Sequence, residues 1–228
     1  RDGTSFTGSA SLNSGSIVRQ DLRESSPGIS SWAGLYSAIF QVNNFIYQVE
    51  KADYLVTADK SYYLGQAYGL RAFYYFQLYR TYGRVPLAKE PKVAITTPST
   101  AADAYLPRTA TEKETLDFIK EDVNKSVASF SGNYTTKMQK AQWSLGASQM
   151  LQAEVYLWSA KVKIDGATPT TTVADLAIAR AAVEAVIPKY SLQPSFANVF
   201  NSAATAAIKG NNEIIFAMRY GFGEASNN

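Results

Sequence analysis

From residue 30 to residue 83 the chain repeats apolar side chains every third or fourth position. Trp32, Leu35, Tyr36, Ile39, Val42, Phe45, Ile46 and Val49 fall on one face of a helix, because 3.6 residues complete a turn. Ser30 or Ser31 stands where a hydroxyl can cap the first exposed amides. A second helix is expected to begin near Asp59, whose carboxylate can cap it. It should run through Tyr63, Ala67, Leu70, Tyr74 and Leu78 to about Tyr82, with Gly83 as its stop. The connection from Ala52 to Ala58 is short, so the two helices are expected to pack antiparallel. Phe73, Tyr75, Phe76 and Tyr79 spread rings around the second helix, which predicts that more than one of its faces is covered.

The pattern elsewhere is interrupted. Residues 1 to 31 are rich in Ser, Gly, Thr and Asn, carry the turn signal Pro27-Gly28 and show no sustained apolar period, so a long loop is expected. Residues 84 to 110 hold Pro86, Pro91, Pro98 and Pro107 with only short apolar runs such as Val93-Ala94-Ile95, and read as irregular. Thr111 to Glu114 then matches the capping-box spacing and precedes Leu116, Ile119, Val123, Val127 and Phe130. After the break at Ser131-Gly132-Asn133, a fourth helix is expected from roughly Lys140 to Lys163 on the stripe Leu145, Ser148, Leu151, Val155, Trp158 and Val162. That makes a second antiparallel pair. A polar loop at 165 to 172 leads to a shorter helix carrying Leu176, Ala179, Val183, Val186 and Ile187, ended by Pro188. Glu213 to Tyr220 is a strand candidate. The fold class is therefore mainly α, with helical pairs of tetratricopeptide type, long irregular loops and little β. The pairs are longer than a 34-residue repeat and too widely spaced for a regular array.

Composition narrows the chemistry. The 228 residues, 46% hydrophobic and 18% charged, suffice for a real core. Cysteine and histidine are both absent, which excludes Ser-His-Asp and Cys-His nucleophile systems, thiolate and imidazole zinc sites and a disulfide framework. The net charge of +3 is scattered, without the basic block that nucleic acid or anionic lipid requires. No run approaches the length of a membrane-spanning helix, and no phosphate-cradling glycine motif stands in its required context. Neither a cofactor nor a metal is expected, and no catalytic residue is assigned. A carboxylate pair of glycosidase type remains open in principle, although Asp53, Asp59, Glu112 and Glu114 have ordinary roles at helix surfaces and caps.

Two residues stand out. Arg71 lies within Leu70-Arg71-Ala72-Phe73-Tyr74-Tyr75-Phe76, where a guanidinium among rings needs a partner. It is read as a structural ion pair, with Asp122 or Glu154 as acceptor. Trp32 sits where the polar loop enters the first helix and can face either core or ligand. The other helical aromatics are read as core.

Taken in order, several segments resemble the SusD/RagB family of outer-membrane nutrient-binding lipoproteins. Trp32-Ala33-Gly34-Leu35-Tyr36-Ser37-Ala38-Ile39 followed by Asn43-Asn44 is similar to the family's W-x-x-L-Y-x-x-I-x-x-x-N helix. Gly65-Gln66-Ala67 and Leu70 to Leu78, continuing through Tyr82-Gly83-Arg84-Val85-Pro86-Leu87, resembles its most recognisable stretch. Pro107-Arg108-Thr109 and Glu121-Asp122, with Val123 in place of leucine, resemble its R-x-[ST] entry and I-x-x-D-L helix. Lys140-Ala141 through Leu157 looks like the next helix. Tyr190-Ser191-Leu192, Phe196, Val199, Phe200 and Asn212-Glu213-Ile214-Ile215-Phe216 are similar to its Y-x-L, F and N-E-x-I-F segment. Arg1-Asp2 resembles an R-S-D element.

The resemblance implies one SusD-like helical domain over 1–228, incomplete because family members run about twice this length. It also implies a surface-exposed lipoprotein of the outer membrane, anchored through an upstream cysteine. The implied partners are a SusC-like TonB-dependent transporter and an oligosaccharide ligand, with peptide as an alternative cargo. Binding without bond cleavage is expected from the irregular segments 1 to 31 and 84 to 110. The ligand-contacting residues are expected to be Trp32 first and Tyr105 second, the latter because no core stripe claims it. The alternative reading is a tetratricopeptide-like adaptor gripping a partner's peptide between helices.

Overall fold

The computed structural model describes residues 31–92, 106–200 and 211–217. The irregular reading of residues 1–30, the Val93-Ala94-Ile95 run, Tyr105 and the end of the tail lie outside these. The chain divides into two compact units, Arg1–Ser37 and Ala38–Asn228. Six α-helices are present among the described residues: α1 Ala33–Lys51, α2 Thr57–Tyr82, α3 Glu112–Phe130, α4 Leu145–Lys161, α5 Thr172–Val186 and the short α6 Phe196–Phe200. Tight 3-10 turns occupy Met138–Lys140 and Ile187–Lys189.

The helix ends follow local chemistry. Ser31 Oγ accepts the Ala33 amide at 3.3 Å. α2 begins two residues before Asp59, with Val56 at the cap position and no side-chain cap; Asp59 instead sits in the first turn, where a carboxylate complements the unpaired amides of the helix dipole. At its other end Gly83 takes φ 66° and returns its amide to the Tyr79 carbonyl, a left-handed turn that favours glycine. Thr111 accepts the Glu114 amide at 3.1 Å, while the Glu114 carboxylate reaches the Ala110 amide at 3.3 Å, one residue earlier than a full capping box places it.

α4 starts at Leu145 rather than near Lys140. Met138 and Lys140 take positive φ of 49° and 69°, which a right-handed helix cannot contain, and Ser144 supplies the cap to the Ala147 amide. The tail candidate is not a strand over its described part. Residues 213–217 are irregular, with backbone bonds from the Ile214 amide to the Asn211 carbonyl and from the Ala217 amide to the Lys140 carbonyl, and with Phe216 against Trp143 at 5.4 Å. Among the described residues β-pairing is limited to the isolated bridges Pro86 to Arg108 and Ile164 to Ala167, so none of them offers this segment a ladder.

The tightest backbone packing joins α2 with α3 and α4 with α5, a shift of one helix from the pairing that loop length suggests. Glycine explains the first. A Cβ on Gly69 would lie 2.1 Å from Trp143 Nε1 and 2.8 Å from Ser126 Oγ, so only a bare backbone admits α3 and Trp143 at that point. Ser126 of α3 hydrogen-bonds the Gly65 carbonyl, Arg71 meets Asp122 and Tyr75 meets Phe118, a register that fixes α2 and α3 antiparallel. α1 reaches α2 through side chains instead: Phe45 on Tyr63, Glu50 with Tyr68 and Asn43 with Arg71. The core between these helices holds Ile39, Tyr75, Phe76, Leu78, Leu116, Ile119, Val123, Leu145 and Val155, all almost completely buried.

Candidate functional site

The irregular stretch after α2 does not hang free at its ends. Residues 84 to 92 are bolted down by three helices around Arg71, which is 5% exposed. Arg71 Nε and Nη2 donate to the two oxygens of Asp122 at 2.7 and 2.8 Å, the fork geometry that a carboxylate matches. Arg71 Nη1 donates to Asn43 Oδ1 at 2.8 Å and to the Lys89 carbonyl at 3.0 Å. Asn43 Nδ2 then donates to the Ala88 carbonyl at 2.8 Å. Tyr75 Oη accepts the Ala88 amide at 2.7 Å and donates to its carbonyl at 3.1 Å. The returning stem is tied to the outgoing one by the Thr109 amide on the Val85 carbonyl, 3.2 Å, and by Arg84 on the Ala110 carbonyl, 3.0 Å.

Charge in this network is compact and shielded. Burial opposes ionisation of both partners, pulling the Arg71 guanidinium down and pushing the Asp122 carboxyl up. Pairing outweighs burial at Arg71, which sits above its ordinary value, while burial prevails at Asp122. The guanidinium also lies 5.2 Å from the Phe118 ring and 5.4 Å from that of Tyr68. Burial, with a hydrogen bond to Glu50, pushes the Tyr68 phenol up to about 12. Glu154, the other acceptor considered for Arg71, pairs with Arg80 at 2.7 Å.

Trp32 is half-buried and stands edge-on to Tyr36, ring centroids 5.7 Å apart at 80°. Tyr105 lies outside the described residues. A second carboxylate, Asp175, is 4% exposed and accepts from Thr171 Oγ1, Ser159 Oγ and Lys120 Nζ at 2.7, 2.8 and 3.1 Å. It locks α5 onto α3 and α4. No group of acidic side chains among the described residues has the arrangement of a metal site, and no described helix is long and apolar enough to cross a membrane.

Two cavities open on the helices. The larger, about 1180 Å³, runs between α4, α5 and the 213–216 segment, over Trp143, Leu151, Leu157, Val183 and Phe216. The smaller, about 510 Å³, lies between α1 and α2 and is lined by carboxamides and Phe45. Sequence reasoning found Arg71 but missed Asn43, Tyr75 and the carboxamide pocket. One signal was present: Asn43 occupies the apolar register of Ile39, Ile46 and Val49, and a polar residue there needs a buried partner.

A SusD-like family model, described as starch-binding and associating with the outer membrane, matches residues 4–157. A SusD-like protein P38 from Formosa agariphila is 36% identical over 115 residues, covering 49% of this chain and 21% of that one. Among solved structures, a SusD superfamily protein from Bacteroides fragilis superposes with TM-score 0.79 at 38% identity, over 96% of this chain and 42% of its own. NanU of B. fragilis superposes with TM-score 0.76 at 33% identity, over 93% and 39%. The chain thus spans less than half the length of each of these relatives.

Proposed function

The chain belongs to the SusD-like family, described as starch-binding and associating with the outer membrane, and from that premise we propose that it captures an oligosaccharide without cleaving it. In this reading it works at the cell surface as part of an outer-membrane lipoprotein and hands the sugar to a SusC-like TonB-dependent transporter. The observation that carries the reading is the match of residues 4–157 to a family model described as starch-binding and associating with the outer membrane. The mechanism follows from the scaffold. The Arg71 network fastens residues 84–92 to the helices, so the cost of ordering those residues is met during folding rather than on binding. Trp32, at the mouth of α1, is the proposed stacking ring, and Tyr105 the second.

Isothermal titration of the full-length protein against a panel of oligosaccharides tests this. Micromolar to millimolar binding of at least one sugar, weakened about tenfold by Trp32→Ala, is the expected result. Binding to no sugar would remove the ligand assignment, and a neutral Trp32→Ala would remove that residue from the site. Co-purification of a barrel transporter from outer membranes tests delivery separately.

A further inference from the structure

The pocket between α1 and α2 is lined by four carboxamides that the Arg71 network does not use, over apolar residues that include the buried Ala67. Gln41, Asn44 and Gln48 recur at three- and four-residue spacing on α1, and Gln66 joins them from α2, with Phe45 and Leu70 among the apolar lining. Each of the four carboxamides brings two donors and an acceptor; Gln41 and Gln48 are exposed, whereas Asn44 and Gln66 are half-buried. The side chains of Gln41, Asn44 and Gln48 make no hydrogen bond to any described residue. Gln66 goes further: its Nε2 is shielded from solvent and has no partner among the described residues, a state that native folds rarely leave unexplained.

The lining also carries no charged side chain, so it selects a neutral ligand rather than a phosphate, a carboxylate or a chain terminus. Phe45 is 44% exposed and is held edge-to-face on Tyr63, centroids 6.1 Å apart, which fixes one ring at the pocket. The volume of about 510 Å³ falls within the ~300–1,000 Å³ of small-molecule sites. A pyranose combines what these groups require: hydroxyls that both donate and accept, and an apolar C–H face for a ring. We propose that this pocket is a subsite for a neutral sugar, with Asn44, Gln48 and Gln66 bonding hydroxyls and Phe45 packing against the ring face. The proposal rests on the glycan-capture reading and adds a second contact point, distinct from Trp32. The Gln66 carboxamide turns about its last torsion, which is broad, and a sugar oxygen supplies the acceptor that the described residues do not.

The test is nuclear magnetic resonance of the side-chain amides in the full-length protein, titrated with maltoheptaose, cellohexaose, laminarihexaose and, as a control, tetraglycine. Calorimetry of Phe45→Ala and of the double variant Asn44→Ala/Gln48→Ala accompanies it. One of the sugars is expected to shift the Asn44, Gln48 and Gln66 amides, and each variant to weaken that sugar about tenfold with an unchanged amide spectrum elsewhere. Sugar binding that leaves these amides unmoved and the variants at full affinity overturns the subsite while the glycan reading stands. No binding of any sugar overturns both. Shifts caused by tetraglycine and by none of the sugars overturn the sugar assignment. The wild-type amide shifts decide the matter even if Phe45→Ala folds poorly.

Discussion

Removing both charges of the clamp together should cost far less than the sum of removing each alone. Asp122→Ala strands a guanidinium that is 5% exposed, and an uncompensated buried charge costs about 3–5 kcal/mol. Arg71→Met strands a fully buried carboxylate and is expected to cost a similar ~3–5 kcal/mol. If the two losses were independent, the double variant would lose their sum, about 6–10 kcal/mol, comparable to the whole stability of a domain. They are not independent, because each single variant chiefly measures the abandoned partner. In Arg71→Met/Asp122→Ala neither charge remains. What persists is the loss of donors to Asn43 Oδ1 and the Lys89 carbonyl, 2.8 and 3.0 Å away in the native network. The buried Asn43 oxygen left unpaired costs ~1–3 kcal/mol, and the part-buried Lys89 carbonyl ~1–2 kcal/mol. The double variant should therefore lose about 2–5 kcal/mol, no more than the worse single variant, giving a coupling of several kcal/mol. Urea unfolding followed by circular dichroism, with the slope checked for constancy, measures all four corners of the cycle. Additive losses, or an Asp122→Ala cost below about 1 kcal/mol, would refute the argument that this pair is buried and mutually dependent.

Gly69→Ala should destabilise despite alanine's helix propensity, worth about 1 kcal/mol in its favour. The added methyl meets Trp143 Nε1 at 2.1 Å, and Trp143 is 5% exposed and hydrogen-bonded to Ser148, so overpacking of ~1–3 kcal/mol should lower the thermal midpoint; a raised midpoint would show that Trp143 yields freely. Asp175 sets an acid limit. Burial raises its carboxyl, but the hydroxyls of Thr171 and Ser159 and the Lys120 ammonium outweigh that and hold it below its ordinary value. A depressed folded pKa means stability present above the unfolded value of about 3.9 and lost as pH falls through the folded one. Asp175→Asn should thus be less stable at pH 7, with a flatter fall of its urea midpoint below about pH 4. Parallel curves for the two proteins would dismiss that linkage.

Local order in the sequence determined much of this protein. The 3.6-residue stripes located the helices, since a face that must leave water announces itself in spacing. Gly83 and Thr111 marked boundaries through backbone chemistry that acts within one turn. Arg71 declared its need for a partner because a guanidinium among rings cannot stay alone. Contacts between distant segments were another matter. Which carboxylate answered Arg71 depended on the crossing of α2 and α3, set by bare backbone at Gly69 and by Trp143 wedged beside it. The start of α4 depended on left-handed residues at 138 and 140 that no periodicity reveals. The described part of the tail, residues 213–217, is irregular because a strand needs a neighbouring strand, and its partners there are single contacts with Lys140, Trp143 and Gln193. The carboxamide pocket was the least visible. Gln41, Asn44 and Gln48 look like a solvated helix face until Gln66 arrives from another helix, and only tertiary structure decides whether a polar side chain meets water, a partner or a cavity.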